Sequence, residues 1–209
     1  MPRQRRIKPD QARRALYFDF EGRKAGDPVL LGVLFDANLD GPDSWVLKQF
    51  VFDEACSRVD EAVGSGCDAA TMEEALDWLL TLSDTERRHL VSWSLYDQGV
   101  AKRLSRNRSF RYRNALATVR GWRYRERIAG RIDDDGTADN SLRHYESLIG
   151  YDRPPELHDV GDSIGYIHDR ESVTAGAMER WKTILTHNEH DLLAMRDVMF
   201  TVLDLNEDH

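Results

Sequence analysis

Alternating apolar and polar positions predict β-strands in the first third of the chain. In ALYFDFEG (15–22) the leucine and both phenylalanines share one face, because successive side chains of a strand point to opposite faces. The apolar-rich runs PVLLGVLFDA (28–37) and WVLKQFVFD (45–53) follow after turns that contain Gly, Asp and Pro. Strand-like runs separated by such residues are typical of hairpins, so we expect an antiparallel three-strand meander.

A helical period replaces this alternation after residue 66. The segment ATMEEALDWLLTLSDTE (70–86) has apolar residues three and four positions apart, which predicts an amphipathic helix. A fourth strand-like run, HLVSWS (89–94), leads into the helical pattern YDQGVAKRLSR (96–106). We expect the crossover through the first helix to place this fourth strand beside the first one in a mixed sheet.

The C-terminal half alternates helical and loop-like patterns. Helices are expected around 115–129 and in SLRHYESLIG (141–150), whereas YDRPPELHDVGDSIGYIHD (151–169) reads as a loop. Two further helical patterns, SVTAGAMERWKTIL (172–185) and THNEHDLLAMRDVMFTVLDL (186–205), follow one another directly. Helices therefore flank the predicted sheet.

Length and composition favour one domain. The 209 residues, 41% of them hydrophobic, suffice for a substantial core, with 1–14 as a basic N-terminal arm and 15–209 as a single domain. No apolar run approaches the about 18 residues of a membrane helix, and no hydrophobic segment follows the N-terminal arginines. We expect a cytoplasmic protein with no membrane contact. Cys56 and Cys67 match no disulfide or zinc spacing and are expected to be ordinary reduced thiols.

Charge is unevenly distributed. The net charge is −8, yet eleven basic residues and a single acid, Glu126, lie between Lys102 and Arg131. One interpretation is an exposed helix that neutralises the rest of the protein; the lopsided count favours contacts with nucleic-acid phosphates, with aromatic residues as stacking platforms. The predicted nucleic-acid-binding residues are Arg103, Arg106, Arg111, Arg113, Trp122, Arg123 and Arg125.

Acidic residues occupy positions that should be buried. Asp19 and Glu21 share one face of the first strand, roughly 6–7 Å apart. Asp191 lies on a mostly apolar helical stripe, with His187 one turn before it. Asp97 follows the fourth strand, at a sheet edge where functional groups are often presented. A buried carboxylate costs several kcal/mol unless it is paired or bound to a cation.

Convergence of these four acids would create a metal site. Oxygen-only ligand sets suit Mg²⁺ or Mn²⁺ and suit zinc poorly. Each feature also has a simpler interpretation: Asp19 and Glu21 as an exposed strand-end pair, Asp97 as a helix N-cap, and His187 as the cap or first residue of the last helix.

The order of these motifs resembles a known family. Asp-x-Glu on the first strand, WSLYDQGVAKRL, SLRHYESLIGYDRP and HNEHDLLAMRD resemble the DEDD exonucleases of the ribonuclease-H-like superfamily. More narrowly, they resemble the bacterial branch of predicted nuclease domains often fused to RecB-type nucleases or helicases. The resemblance spans about residues 15 to 203. His187 stands where a tyrosine is usual, and Arg143 where a lysine is usual.

The resemblance implies a fold and an activity. The fold is α/β, with a ribonuclease-H-like mixed sheet, an antiparallel three-strand meander plus parallel strands, flanked by α-helices. The activity is two-metal 3′–5′ exonucleolytic hydrolysis of single-stranded DNA or RNA. Asp19, Glu21 and Asp191 would hold one ion, Asp19 and Asp97 a second, and His187 would orient or deprotonate the attacking water.

Two other functions are compatible with the sequence. The chain can be a catalytically weak or inactive nucleic-acid-binding module of a larger repair or defence assembly, with a helicase or nuclease as its protein partner. Alternatively, Glu21 and Arg23 imitate the Glu-x-Lys pair of restriction-type nucleases. This second alternative is disfavoured, because those folds use a lysine there and need no aspartate on a late helix.

Overall fold

A six-stranded mixed sheet forms the centre of the protein in the computed structural model, which describes residues 6–23, 26–39, 44–105, 108–132, 139–154, 157 and 160–204. Its strands are β1 (Leu16–Gly22), β2 (Pro28–Asp36), β3 (Trp45–Val51), β4 (Asp68–Ala69), β5 (Leu90–Ser92) and β6 (Tyr112–Asn114). The spatial order is β4-β3-β2-β1-β5-β6.

The strand pairing confirms the expected topology. β1, β2 and β3 form the antiparallel meander, whereas β5 runs parallel to β1, and β4 and β6 extend the two edges in parallel pairs. The fold class predicted from the sequence is therefore correct: an α/β fold with a mixed sheet flanked by helices, consistent with the ribonuclease-H-like type.

Helices cover the two faces of this sheet. They are α1 (Pro9–Arg13), α2 (Glu54–Val63), α3 (Met72–Thr85), α4 (Leu95–Leu104), α5 (Ala115–Ile128), α6 (Leu142–Ile149), α7 (Val160–His168) and α8 (Ala175–Val202). No helix in the described part of the chain is long and apolar enough to cross a membrane.

The alternation of β1 distributes its side chains between two cores. Leu16, Phe18 and Phe20 pack with residues of α3 and α4 on one side. Tyr17 packs with α8 on the other side, which is also the face of Asp19 and Glu21. Helix α8, which carries Asp191, therefore covers the face of β1 on which Asp19 and Glu21 lie.

Three of the predicted elements differ in the structure, and α1, α2, β4 and β6 were not predicted. The second half of segment 151–169 is helical (α7) and not a loop, because Val160, Ile164 and Ile167 recur at helical spacing and are buried against α2 and α8. The two C-terminal helical patterns form one helix of 28 residues, α8. The fourth strand ends at Ser92, because Ser94 caps the next helix.

The described part of the N-terminal arm packs on the domain. Ile7 is 3% exposed and Ala12 is fully buried. The backbone N–H of Ile7 donates to the Thr118 hydroxyl at 3.1 Å. Residues 6–14 therefore contribute to the core between α1, α5 and α8.

Candidate metal centre

The structure brings together the four predicted acids, which we name the acidic centre: Asp19 and Glu21 on β1, Asp97 on α4 and Asp191 on α8. Burial, followed by the charges of Glu21, Asp97 and Asp191, raises the pKa of Asp19 well above its usual range. All three other carboxylates therefore lie close enough to Asp19 to repel its charge.

Asp97 joins α4 to β1. Its side chain is almost fully buried, and its Oδ1 accepts a hydrogen bond at 3.3 Å from the backbone N–H of Phe20, between the two acids of β1. Its Oδ2 accepts from the Ser94 hydroxyl at 2.6 Å. The N-cap of α4 is Ser94, so the alternative of Asp97 as N-cap is wrong: Asp97 completes a capping box from the third helical position.

His187 lies between two of the acids. Its Nδ1 is 3.2 Å from Glu21 Oε1 and 3.8 Å from Asp191 Oδ2, and potential ligand atoms of these three residues all lie within 4.8 Å of one another. Because α8 begins at Ala175, His187 is in mid-helix and neither caps nor begins it.

Asn188 positions Asp19 from α8. Its Nδ2 donates to Asp19 Oδ2 at 3.2 Å, and its own Oδ1 accepts from Gln49 Nε2 at 3.1 Å. This approach requires Gly32, the neighbour of Asp19 on β2, because a Cβ there would lie 1.9 Å from Asn188 Oδ1. Sequence reasoning missed Asn188; its signal was a polar residue on the buried stripe of α8.

Arg153 and Glu146 complete the centre and were also missed. Arg153 donates from Nη2 to Asp191 Oδ1. It also forms a bidentate pair with Glu146, from Nε to Oε2 at 2.9 Å and from Nη2 to Oε1 at 2.6 Å. Glu146 is 2% exposed. Both residues lie in the motif SLRHYESLIGYDRP. The signal in the sequence was an arginine, Arg153, seven positions after a glutamate, Glu146, within this motif.

The surroundings also shift the pKa values of Asp97, Asp191 and His187. Burial raises the pKa of Asp97 to about 6, although hydrogen bonds from Ser94 and Phe20 oppose the shift. Burial also raises the pKa of Asp191 against the opposing charges of His187 and Arg153. For His187, burial favours the neutral ring, but the Glu21 hydrogen bond and the Asp191 charge outweigh it and raise the pKa.

The donor set fits a hard divalent cation. The acidic centre and Glu146 together contribute five carboxylates. The positive charges that pair with them among the described residues are those of Arg153 and, when it is protonated, of His187. Burial is the main cause of the raised pKa of Asp19, and the negative charges of Glu21, Asp97 and Asp191 raise it further. Carboxylate oxygens with room for water are the ligands that Mg²⁺ and Mn²⁺ prefer, and Asp19, Glu21, Asp97 and Asp191 are the residues that would hold such ions.

Two apolar side chains lie beside the centre. Leu95 and Tyr96, in the first turn of α4 just before Asp97, are 63% and 46% exposed. Arg103, at the other end of α4, pairs with Asp27 at 3.1 Å. The rim of the acidic centre thus presents a large aliphatic and an aromatic surface to solvent.

The predicted nucleic-acid-binding residues that the structure describes lie on several elements. Arg103 is on α4, Arg111 precedes β6 and pairs with Asp84 at 3.4 Å, and Arg125 is exposed on α5. Arg106 lies outside the described residues. This distribution places the cations on several elements.

Three further residues of that set make intramolecular contacts. The Arg113 guanidinium donates to the Tyr112 carbonyl at 2.9 Å. Trp122 packs partly buried against the core on the α8 side of the sheet. Arg123 is 8% exposed, donates to the Asp139 carbonyl at 2.7 Å and lies over the Tyr145 ring. The contacts of Trp122 and Arg123 hold α5 on the domain.

Known proteins were compared with the chain by family model, by curated sequence and by solved structure. No family model, no curated protein and no solved structure matches it.

Proposed function

We propose that the protein is a metal-dependent nuclease that hydrolyses phosphodiester bonds of single-stranded nucleic acid, as a 3′–5′ exonuclease of the DEDD type. One observation carries the proposal: Asp19 is surrounded by three other carboxylates from β1, α4 and α8, and its burial together with their charges raises its pKa. Such mutual repulsion is costly without a cation, and a site that gathers divalent ions supplies one.

Asp19, Glu21, Asp97 and Asp191 are the residues that would hold two Mg²⁺ or Mn²⁺ ions. When bound, such ions lower the pKa of a water molecule and stabilise the negative charge that develops on the phosphate oxygens. The remaining chemistry belongs to the protein's own side chains.

His187 is the candidate proton acceptor. With Nδ1–H directed to Glu21 Oε1 at 3.2 Å, the other ring nitrogen carries the lone pair that takes a proton from the attacking water. A charged ring cannot accept this proton, so the hydrolysis rate should rise as His187 loses its proton. Glu21 fixes the tautomer and the ring orientation.

Asn188 and Arg153 hold the carboxylates in place. Asn188 orients Asp19 through its Nδ2, and Arg153 fixes one oxygen of Asp191 and leaves Oδ2 directed towards His187. Because the side chains of Asp19 and Asp191 are already fixed, they lose little conformational entropy when ions and substrate bind. We assign both as positioning residues.

The substrate would be a single strand whose bases contact the rim. Tyr96 offers a stacking surface, and Leu95 extends it. Base–aromatic stacking is worth about 1–3 kcal/mol per base and is independent of sequence. Arg103, Arg111 and Arg125 are the predicted residues that lie exposed for phosphate contacts. A cytoplasmic location is part of the proposal, supported by two free cysteines.

The test is cleavage of 5′-labelled single-stranded and duplex DNA and RNA with Mn²⁺, Mg²⁺ or EDTA. We expect metal-dependent shortening from the 3′ end, lost in D19N and D191N, both of which should keep the circular dichroism spectrum of a folded α/β protein. E189Q changes an exposed acid on α8 and should retain activity. Wild-type cleavage by D19N would refute the proposal.

A second function is favoured by one observation, the contact of Arg153 with Asp191. A guanidinium that occupies a metal ligand competes with the ion, which suits a weak or inactive nuclease acting as a nucleic-acid-binding module beside a helicase or nuclease. Binding of labelled single strands without any metal-dependent product would support this module and contradict the first proposal.

A further inference from the structure

A second group of ligand-type side chains lies at the junction of α2 and α7: Asp53, Cys56 and His168, here the α2–α7 cluster. Asp53 is the N-cap of α2, and its Oδ1 accepts from the Cys56 backbone N–H at 2.9 Å. His168 is the last residue of α7. Potential ligand atoms of all three side chains lie within 4.8 Å of one another.

His168 has an unusual contact in this cluster. Its Nε2 lies 3.1 Å from Asp53 Oδ1, yet this buried nitrogen has no hydrogen-bond partner within the described residues. A close nitrogen–oxygen pair without a hydrogen bond is expected when both atoms coordinate one ion. With bonds of about 2.0–2.1 Å, two tetrahedral zinc ligands lie roughly 3.3 Å apart.

We propose that the α2–α7 cluster binds one zinc-type divalent ion, with Cys56 sulfur, His168 nitrogen and Asp53 oxygen as protein ligands. A mixed sulfur, nitrogen and oxygen set suits Zn²⁺ and contrasts with the oxygen-rich acidic centre. Binding releases the thiol proton of Cys56 to solvent and forms a sulfur–metal bond. The side chains of His168 and Asp53 are 28% and 31% exposed, which leaves an open side for a water as the fourth ligand.

The ion would join two helices that support the acidic centre. Cys56 lies in the apolar cluster of α2, α7 and α8 with Ile167 and Trp181, and both α2 and α7 contact α8. The site revises the interpretation of Cys56 as an ordinary thiol, because its third ligand lies more than a hundred residues away in the sequence. It does not depend on the proposed nuclease function.

The test is Co²⁺ titration of the full-length, EDTA-treated protein. We expect a thiolate-to-Co²⁺ charge-transfer absorption in the near ultraviolet that saturates at one ion per chain and disappears on addition of Zn²⁺. C56S should abolish this band, whereas C67S, the matched control, should retain it. D53N keeps a residue that caps helices well and should weaken Co²⁺ binding.

Because Cys56 is buried, C56S alone can misfold, so H168A serves as a second variant at a partly exposed position. Loss of a direct ligand should weaken Co²⁺ binding by more than the roughly tenfold cost of losing an outer-shell partner. Zn²⁺ should raise the thermal unfolding midpoint of the wild type but not of H168A. Absence of the thiolate band, its persistence in C56S, or unchanged affinity in H168A would overturn the proposal.

The two metal proposals fail independently. The acidic centre has no thiol, so D19N and D191N should keep the thiolate band even when hydrolysis is lost. Conversely, a wild-type protein without nuclease activity but with the band would retain the α2–α7 site and lose only the nuclease proposal.

Discussion

Arg153 donates from Nη2 to Oδ1 of Asp191 while the same guanidinium forms a bidentate pair with Glu146. One cation thus holds a carboxylate of the acidic centre from a segment outside β1, α4 and α8. The pairing limits the freedom of Asp191 and balances part of the negative charge that β1 and α8 bring together.

R153A should therefore destabilise the protein. Removing one partner leaves Glu146, 2% exposed, as an uncompensated buried charge, a change that typically costs about 3–5 kcal/mol. Urea unfolding with EDTA at neutral pH measures the loss. The stability of R153K should lie between those of the wild type and R153A, because a lysine ammonium keeps the charge but cannot form the bidentate pair.

R127A, at an exposed arginine of α5, is the matched control and should change stability by less than about 0.5 kcal/mol. Equal stabilities of R153A and R127A would mean that the Arg153 contacts contribute nothing measurable.

D97N should alter the pH dependence of stability in the metal-free protein. Burial raises the pKa of Asp97 in the folded protein to about 6, from the usual value of about 3.9 for an aspartate. The protonated Asp97 therefore contributes to the free energy of unfolding below the pKa that Asp97 has in the unfolded chain. This contribution is lost as the pH rises through its pKa in the folded protein. Between about pH 4 and 6, the wild type should lose stability relative to D97N, by up to about 3 kcal/mol.

Urea unfolding of both proteins at several pH values, with EDTA, gives this difference. E189Q should follow the wild-type curve. If the difference in unfolding free energy between the wild type and D97N does not change with pH, ionisation of Asp97 does not destabilise the folded protein, and the prediction is wrong.

G32A should displace α8 from the sheet. The new Cβ would lie 1.9 Å from Asn188 Oδ1 and 2.7 Å from Leu192 Cδ1, and overpacking of this kind typically costs about 1–3 kcal/mol. Because the shift also moves Asn188 away from Asp19, metal-dependent hydrolysis should fall together with the thermal unfolding midpoint.

G99A is the control for this substitution. A Cβ on Gly99 meets no atom of the described residues within 4 Å, and alanine in a helix is favoured over glycine by about 0.8–1.0 kcal/mol. G99A should thus stabilise the protein and leave hydrolysis unchanged. A G32A protein as stable and active as G99A would contradict the close approach of α8.

H187Q should slow hydrolysis by about 10²–10⁴-fold and flatten its pH profile. Because only the neutral ring can accept the proton, the wild-type rate should rise with pH as His187 loses its proton. Single-turnover rates with Mn²⁺ at several pH values measure both effects. If the hydrolysis rate of H187Q depends on pH in the same way as that of the wild type, another group accepts the proton.

Several features followed from the sequence alone, because their signals are local. The two-residue period of β1 separates Leu16, Phe18 and Phe20 from Asp19 and Glu21, and the helical period places Asp191 one turn after His187. The meander, the parallel position of β5 and the grouping of the four acids all followed from these periods and from known connection rules.

Only the tertiary structure could assign the partners of these residues. Asn188 meets Asp19 across 169 positions and Arg153 meets Asp191 across 38, and no local period links residues so far apart. For the same reason the polar stretch around His187 suggested a break between two helices, although it lies in the middle of α8. Its polar side chains are satisfied by Glu21, Asp19 and Gln49 on the sheet, contacts that exist only once α8 packs against β1, β2 and β3.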